Sequence, residues 1–215
     1  VIAACSANEL RQAQELLPRT EAVLLPYVLP HRVTDELRAV PRSPHEGEAT
    51  AERPLDVCLV GRVDQQKDPN FCIAVANALR ELRSPVSLTW IGGGRPELEA
   101  QLREHGVDVT GWTTRSVALE RLARADVFLH TAAWEGLPLT FLEAATLNVP
   151  MALRQIPAVE EVAVPTMAAG PVELAKAVDA LVDPEYRSTV RDAGQTFLQQ
   201  HRPEDQRSVL TQLYG

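Results

Sequence analysis

The segment at positions 61–69, GRVDQQKDP, carries two basic residues, Arg62 and Lys67, directly after an apolar stretch. If that stretch is a strand of a parallel sheet, the segment lies at the sheet edge where helix N-termini present backbone amides to anions. The planar guanidinium of Arg62 and the point charge of Lys67 together suit a diphosphate. Ordinary cations on a solvated loop would give the same pattern, so the residues alone leave both interpretations open.

A second segment, WEGLPLTFLEA, places seven residues between two glutamates, Glu135 and Glu143. Pro138 suits the first turn of a helix, so Gly136 and Leu137 fall at the helix start. Two carboxylates beside one helix N-terminus could accept hydrogen bonds from vicinal hydroxyls of a sugar or a ribose. The alternative is a helix-capping Glu135 and a solvated Glu143, although the apolar neighbours of Glu143 would make an idle buried charge costly.

Three consecutive glycines, 92–94, follow another apolar stretch and precede Arg95 and Pro96. Glycines at such a point let the backbone approach a ligand closely, or they make a sharp turn. The order GGGRP does not match the G-x-G-x-x-G pattern of dinucleotide-binding proteins. These glycines therefore indicate a loop at the same sheet edge without identifying a ligand.

Short apolar runs alternate with amphipathic stretches along most of the chain, which predicts a doubly wound α/β fold with a parallel sheet and helices on both faces. Strands are predicted at 56–60, 86–91, 107–110, 126–131, 150–154 and 164–168. Helices are predicted between them at the spacing of apolar residues, and at 171–181, 184–200 and 203–213 near the C-terminus.

The first 25 residues form a separate βαβ pattern, with strands at 1–5 and 22–25 and a helix at 7–17 that Ser6 would cap. Five prolines in 26–54 predict an interdomain linker or loop over 26–53. The main domain is predicted at 54–200, and a C-terminal helix at 201–215. Because the chain opens on an apolar run with no cap before it, we expect it to begin inside a larger protein.

Acidic residues outnumber basic ones by 29 to 21, and the formal net charge is −8. This balance argues against nucleic acid or an anionic membrane as the main partner.

The apolar runs are far shorter than the roughly 20 residues that span a bilayer, so no transmembrane segment is expected. The three cysteines are widely spaced and the five histidines lack metal-ligand spacing, so neither a metal site nor a cofactor is predicted. A reducing cytoplasm fits this cysteine usage.

The order of these segments resembles a known family. GRVDQQKDP, then IGGG, VTGW, ARADVFL and WEGLPLTFLEA resemble the C-terminal, donor-binding domain of retaining glycosyltransferases with the GT-B architecture. The resemblance covers about residues 54–200, and 1–25 looks like the last βαβ stretch of the N-terminal acceptor domain. A departure lies at 155–158, where the sequence QIPA replaces the family's small, glycine-rich turn, although Glu160 stands where that motif has a glutamate.

The resemblance implies roles for individual residues. Arg62 and Lys67 would bind the donor's diphosphate and stabilise the leaving group without a metal, and Glu135 would hold hydroxyls of the donor sugar. Glu143 would hold the ribose hydroxyls. The other implied donor-binding positions are Gly61, Gly92, Gly111, Trp112, Thr113, Gly136, Leu137, Pro138 and Leu139, of which 111–113 would read the base through backbone atoms.

The implied activity is transfer of a sugar, with retention at the anomeric carbon, from a UDP- or GDP-sugar to a sugar, lipid or other acceptor held by the N-terminal domain. Such an enzyme would serve polysaccharide or glycoconjugate synthesis in a bacterial cytoplasm, and the missing domain would provide any attachment to the inner membrane. This part alone is expected to be inactive. Two alternatives stay open: a nucleotide-sugar 2-epimerase on the same architecture, and a non-catalytic binding module.

Overall fold

The computed structural model describes residues 1–41, 53–83 and 85–215. The N-terminal unit consists of β1 (Ile2–Ala4), α1 (Ala7–Leu16) and β2 (Ala22–Leu24), and α2 (His31–Ala39) follows it. The larger unit contains β3 (Leu55–Val60), α3 (Pro69–Leu82), β4 (Val86–Ile91), α4 (Pro96–Glu104), β5 (Asp108–Val109), α5 (Arg115–Arg124), β6 (Val127–His130), α6 (Leu139–Thr146), β7 (Met151–Arg154), a 3₁₀ helix (Pro157–Val162), β8 (Met167–Ala168), α7 (Pro171–Ala180), α8 (Pro184–Leu198) and α9 (Pro203–Tyr214).

Six strands form one sheet in the order β5-β4-β3-β6-β7-β8, and every neighbouring pair is parallel. Within this unit the chain builds outward from β3 to β5, and then crosses back to add β6, β7 and β8 on the other side. The order therefore reverses between β3 and β6, which is the topological switch point of a Rossmann-like sheet. The predicted fold class is confirmed.

Alternation along each strand divides the core into two layers. Leu55, Val57 and Leu59 of β3 face one layer, which α3, α4 and α7 cover, whereas Cys58 faces the other layer, which α5, α6 and the 3₁₀ helix cover. Trp90 is almost fully buried, and its indole nitrogen donates to the carbonyl of Gly61 at 3.0 Å. Burial of each such large side chain contributes about 2 kcal/mol.

The strands at the two edges of the sheet are shorter than predicted. The strand expected at 107–110 is only Asp108–Val109, because the amide of Val107 donates to Leu102 at the end of α4 instead of joining the sheet. The strand expected at 164–168 is only Met167–Ala168. Pro165 carries no N–H group, so pairing cannot extend through it.

The range 26–53, predicted as a linker or loop, contains the helix α2. Leu37 of this helix is fully buried against the layer that includes α6, and Val33 packs beside it. Pro30 and Pro41, which favoured a loop in the sequence, bound the helix at its two ends instead of interrupting it. The part of the predicted linker at 42–52 lies outside the described residues.

The N-terminal unit forms its own two-stranded parallel sheet, β1 with β2, joined by α1, as its βαβ pattern predicted. The N-terminus of α1 lies against the 3₁₀ helix of the larger unit. There a carboxylate oxygen of Glu161 accepts a hydrogen bond from the backbone amide of Ala7 at 2.5 Å. Helix α9 contacts the chain just after this unit, where the side chain of Gln206 donates to the carbonyl of Pro26 at 3.0 Å. That the unit belongs to an acceptor domain stays a prediction.

Among residues 1–41, 53–83 and 85–215, no helix combines the length and the apolar character that crossing a membrane requires.

Candidate functional site

The loops that follow β3 and β6 meet at the carboxyl edge of the sheet, at the switch point. The amide of Ala133 donates to the carbonyl of Gln66 at 2.9 Å, and the hydroxyl of Thr131 donates to the carbonyl of Lys67 at 2.9 Å. Open α/β sheets bind their ligands in the crevice at this point. The order of the strands in the sheet places β3 beside β6. It therefore brings the two motif segments, which are about 70 residues apart in the chain, into direct contact.

An ion pair between Lys67 and Glu135 lies where the two loops meet. The side chains are only 19% and 10% exposed. The second carboxylate oxygen of Glu135 accepts a hydrogen bond from the side-chain amide of Gln66, whose Nε2 atom is 3.2 Å away. Burial by itself raises the pKa of Glu135, but His130 and Lys67 outweigh it, so the pKa lies below its ordinary value. Glu135 is therefore held as a carboxylate beside a cation.

His130 lies beneath this pair, at the end of β6. It is buried with its ring edge-on to Phe141 at 4.9 Å between centroids, and its Nε2 atom is 3.9 Å from the nearer oxygen of Glu135. Neither ring nitrogen has a hydrogen-bond partner among the described residues. Burial lowers the pKa of His130 below its ordinary value and outweighs the opposite effect of the neighbouring Glu135.

Glu143 is buried in α6, which rules out the solvated alternative that the sequence left open. Its carboxylate accepts from the guanidinium of Arg115, the first residue of α5, at 2.6 Å. The Arg115 side chain is half exposed, and its Nε atom lies 4.0 Å from a carboxylate oxygen of Glu36 in α2. The capping role considered for Glu135 is also not observed, because Pro138 occupies the N-cap of α6 without any side-chain cap.

Arg62 lies apart from the Lys67–Glu135 pair. Its side chain is 66% exposed, and its ion pair is with Asp64 in the same loop, at 3.6 Å. Arg62 is thus an exposed cation on this loop, whereas Lys67 is largely buried.

The glycines at the edge allow three loops to approach one another. Gly92 has a φ of 137°, and a Cβ atom built there would lie 2.1 Å from the carbonyl oxygen of Gly61. Gly92 also pairs with Gly111, and its amide donates to the hydroxyl of Thr110 at 3.0 Å. A side chain at position 92 would separate these loops, so Gly92 has a structural role.

Two predicted residues with aromatic or apolar side chains lie at the surface of the site. Trp112 is largely exposed on the loop after Gly111, and Leu139 is exposed at the start of α6. Thr113 lies between Trp112 and the cap of α5, and is partly exposed. These positions leave the β5–α5 loop accessible to a ligand on the side of the crevice away from β7.

The start of the α6 loop contacts the N-terminal unit, which the sequence did not predict. A Cβ atom on Gly136 would lie 2.7 Å from a carboxylate oxygen of Glu9 in α1. The other oxygen of Glu9 accepts from the amide and the thiol of Cys5, each at 2.9 Å. The capping-box pattern S-x-x-E at Ser6 and Glu9 indicates the start of α1 but not this contact. Gly136 and Leu137 therefore lie directly against this unit.

Several residues that complete the site were also missed in the sequence: Gln66, Arg115 and Arg154. Each contacts a partner that is distant in the chain, and no local pattern marks such a contact. Gln66 and Arg115 bind the two predicted glutamates, and Arg154 reaches the loop that carries Lys67.

Comparison with protein families gives one match: the model described as glycosyl transferases group 1 covers residues 54–184. A search of curated proteins finds no match. Among solved structures, a mutant of S. aureus TarM in complex with fondaparinux, α-GlcNAc-glycerol and UDP has a TM-score of 0.76 at 13% identity, over 99% of this chain and 43% of that one.

Two further structures show the same fold. Sucrose-phosphate synthase from Thermosynechococcus elongatus has a TM-score of 0.72 at 18% identity, over 99% of this chain and 57% of that one. WaaG, a glycosyltransferase involved in lipopolysaccharide biosynthesis, has a TM-score of 0.67 at 17% identity, over 92% of this chain and 58% of that one. The chain thus spans about half the length of these proteins, and at such identities the likeness concerns the fold.

Proposed function

This chain belongs to the glycosyl transferases group 1 family, and we propose that it provides the donor site of a retaining, nucleotide-sugar-dependent glycosyltransferase. A UDP- or GDP-sugar binds in the crevice at the carboxyl edge of the sheet. The sugar is then transferred to a sugar, lipid or other acceptor with retention at the anomeric carbon, without a metal ion or a cofactor.

The Lys67–Glu135 ion pair at the switch point is the observation that carries this proposal. A largely buried ion pair stabilises a fold little, because the desolvation of both charges offsets their attraction. Its position, at the point where such sheets bind ligands, favours a functional role. A diphosphate would pair with the Lys67 ammonium in place of Glu135. Glu135 would then accept hydrogen bonds from the hydroxyls of the donor sugar.

Arg62 supplies the second cation in the proposal. Because its side chain is exposed and its partner Asp64 lies on the same loop, it can turn toward a bound diphosphate without a change in the backbone. Two cations on one diphosphate would neutralise the charge that develops on the leaving group. In this proposal the exposed Arg62 contributes to binding the diphosphate, and the enclosed Lys67 orients it.

Glu143 and the β5–α5 loop form the nucleoside end of the proposed site. Glu143 would accept from the ribose hydroxyls, for which Arg115 must give up part of its contact. The backbone at 111–113 would read the edge of the base, beside the exposed Trp112. The UDP in the S. aureus TarM structure makes UDP the first nucleotide to test.

The proposal is tested by calorimetric titration of the chain with UDP, GDP and ADP, first with a chelator and then with Mg²⁺. We expect one nucleotide to bind without metal, and Lys67→Ala and Arg62→Ala to weaken that binding. Lys176→Ala and Arg207→Ala are matched controls, because both residues are exposed on helices outside the crevice. Equal affinity in all four variants would refute the assigned diphosphate site.

Retention is tested separately by proton NMR in D₂O with a UDP- or GDP-sugar and the full protein. We expect the sugar released at first to have the anomeric configuration of the donor, before mutarotation scrambles it. The opposite configuration would refute retention. An epimerised sugar nucleotide in the same spectra would instead indicate the 2-epimerase that the sequence left open.

A further inference from the structure

Asp68, the residue after Lys67, has a left-handed backbone conformation with φ 52° and ψ 71°. A residue with a Cβ atom adopts this conformation at a cost in free energy, and surrounding contacts must hold it there. One carboxylate oxygen of Asp68 caps α3 by accepting from the amide of Phe71 at 3.1 Å. The other oxygen points away from the helix, toward β7.

Arg154, at the end of β7, meets that second oxygen. Its Nη1 atom donates to Asp68 at 2.7 Å and to the carbonyl of Thr131 at 3.1 Å, and its guanidinium lies 4.0 Å above the ring of Phe71. A planar guanidinium can make two hydrogen bonds and stack on an aromatic ring at once, which a lysine cannot do. The side chain is only 21% exposed.

These contacts close a ring around Lys67. Thr131 donates to the carbonyl of Lys67, Arg154 donates to the carbonyl of Thr131, and the same guanidinium holds Asp68, which is bonded to Lys67. We refer to the four residues Lys67, Asp68, Thr131 and Arg154 as the contact ring. The ring joins the ends of β3, β6 and β7, and it fixes the backbone of Lys67 on its carboxyl side.

We propose that Arg154 is a positioning residue for Lys67. It keeps the backbone at 67 and 68 in the one conformation that directs the lysine ammonium to Glu135. If the proposed function is correct, the same orientation presents the ammonium to the diphosphate of the donor. Arg154 acts through the contact ring and does not itself touch the donor.

The test uses the fact that Lys67 and Lys176 are the two lysines of the chain. Both are labelled with a trace amount of acetic anhydride, and mass spectrometry gives the ratio of their rates. Lys176 is exposed on α7 and serves as the internal reference. In the wild type we expect Lys67 to react several-fold more slowly than Lys176, because its side chain is largely buried and paired with Glu135.

Removal of the guanidinium in Arg154→Met should raise the rate of Lys67 relative to Lys176 at least threefold, with the circular dichroism spectrum unchanged. Arg154→Lys should give a smaller rise, since it keeps the charge but not both hydrogen bonds. An unchanged ratio in Arg154→Met would overturn the inference, whether or not the chain binds a nucleotide.

Thr131 provides the control for a merely structural effect. Thr131→Val opens the contact ring at its hydroxyl with little change in volume, and we expect the rate of Lys67 to rise as in Arg154→Met. Thr131→Ser keeps the hydroxyl and should restore the wild-type ratio. If the valine and serine variants label alike, the ring does not position Lys67.

A second measurement connects the ring to the proposed function. In a double-mutant cycle on UDP affinity, Arg154→Met should weaken binding about tenfold in the wild type and have no further effect in Lys67→Ala. Equal effects in both backgrounds would show that Arg154 acts independently of Lys67 and would overturn the inference. If the wild type binds no nucleoside diphosphate, the proposed function fails, while the labelling ratio still decides the role of Arg154.

Discussion

The two glutamates beside the first turn of α6 are paired in different ways. The side chains of Glu135 and Glu143 are both largely buried, and each forms an ion pair with one lysine or arginine. The partner of Glu135, Lys67, is 19% exposed, whereas the partner of Glu143, Arg115, is 50% exposed. One pair is thus enclosed by loops at the switch point, and the other opens to solvent between α5 and α2.

This difference indicates how each half of the crevice can respond to a ligand. Lys67 is held by the contact ring on its backbone and by Glu135 on its side chain, so its movement requires movement of two loops. Arg115 can rotate into solvent without any change in the backbone. We therefore expect the half proposed to bind the diphosphate and the sugar to be preformed, and the half proposed to bind the ribose to adjust.

The largest effect is expected from removal of the enclosed cation. Lys67→Ala should weaken nucleoside-diphosphate binding by roughly 100-fold, the effect of losing a hydrogen bond to a charged group. It should also lower the free energy of unfolding by about 2 kcal/mol, because Glu135 is left buried without its cation. Calorimetry and urea denaturation measure the two effects.

The matched variant separates these two contributions. Glu135→Gln added to Lys67→Ala removes the unpaired charge, so it should recover at least half of the lost stability but none of the lost affinity. If the stability of the double variant falls further, the charge of Glu135 is not the cause of the loss.

Acidification should act on the enclosed half through His130. Its pKa is lowered by burial, so the unfolded chain takes up a proton more readily than the folded one, and stability falls as the pH drops below about 6.5. The loss is at most about 1.4 kcal/mol per pH unit for one histidine. His130→Leu should flatten the curve of unfolding free energy between pH 7.5 and 5.5.

His201 is the control for this pH effect, because burial also lowers its pKa and it lies far from the crevice, beside Tyr27 and Phe197. His201→Asn should remove a separate part of the slope in the same pH range. If the slope in His130→Leu equals that of the wild type, His130 is not the source of the pH dependence.

Glu135 acts at lower pH than the two histidines. The pKa of Glu135 is lowered, so its stabilising effect is present at neutral pH and is lost only as the pH falls through its folded value, below about 4.5.

A smaller effect is expected at the open pair. Arg115→Ala should lower the free energy of unfolding by about 1 kcal/mol, because water can enter beside Glu143 when the half-exposed side chain is removed. Urea denaturation measures it, with Arg207→Ala as the control for loss of an exposed arginine. A loss equal to that of Lys67→Ala would remove the distinction between the two pairs.

The smallest predicted effect is on salt dependence. Between 0.05 and 0.5 M NaCl, the coupling of Arg115 with Glu143 in a double-mutant cycle should fall by a few tenths of a kcal/mol, since salt screens exposed charges. The coupling of Lys67 with Glu135 should change less. Equal changes for both pairs would indicate that solvent reaches them equally.

The sequence predicted the sheet and most helices because period-2 and period-3.6 patterns are local. It placed Gly61, Lys67 and Glu135 correctly in loops after strands. It missed the helix α2, since two prolines in its surroundings indicated a loop. It also missed the pairing of Arg154 with Asp68 and the approach of Glu9 to Gly136, because the residues of each contact are far apart in the chain and belong to different elements.

What the sequence determined by itself is most of the elements, the parallel sheet and the positions of the two segments that we propose bind a diphosphate and hydroxyls. The tertiary structure decided which charges meet: Lys67 with Glu135, Arg115 with Glu143, and Arg154 with Asp68. The physical reason is that strand order brings together loops that are distant in the chain, and burial then determines which cation stays enclosed and which remains in water.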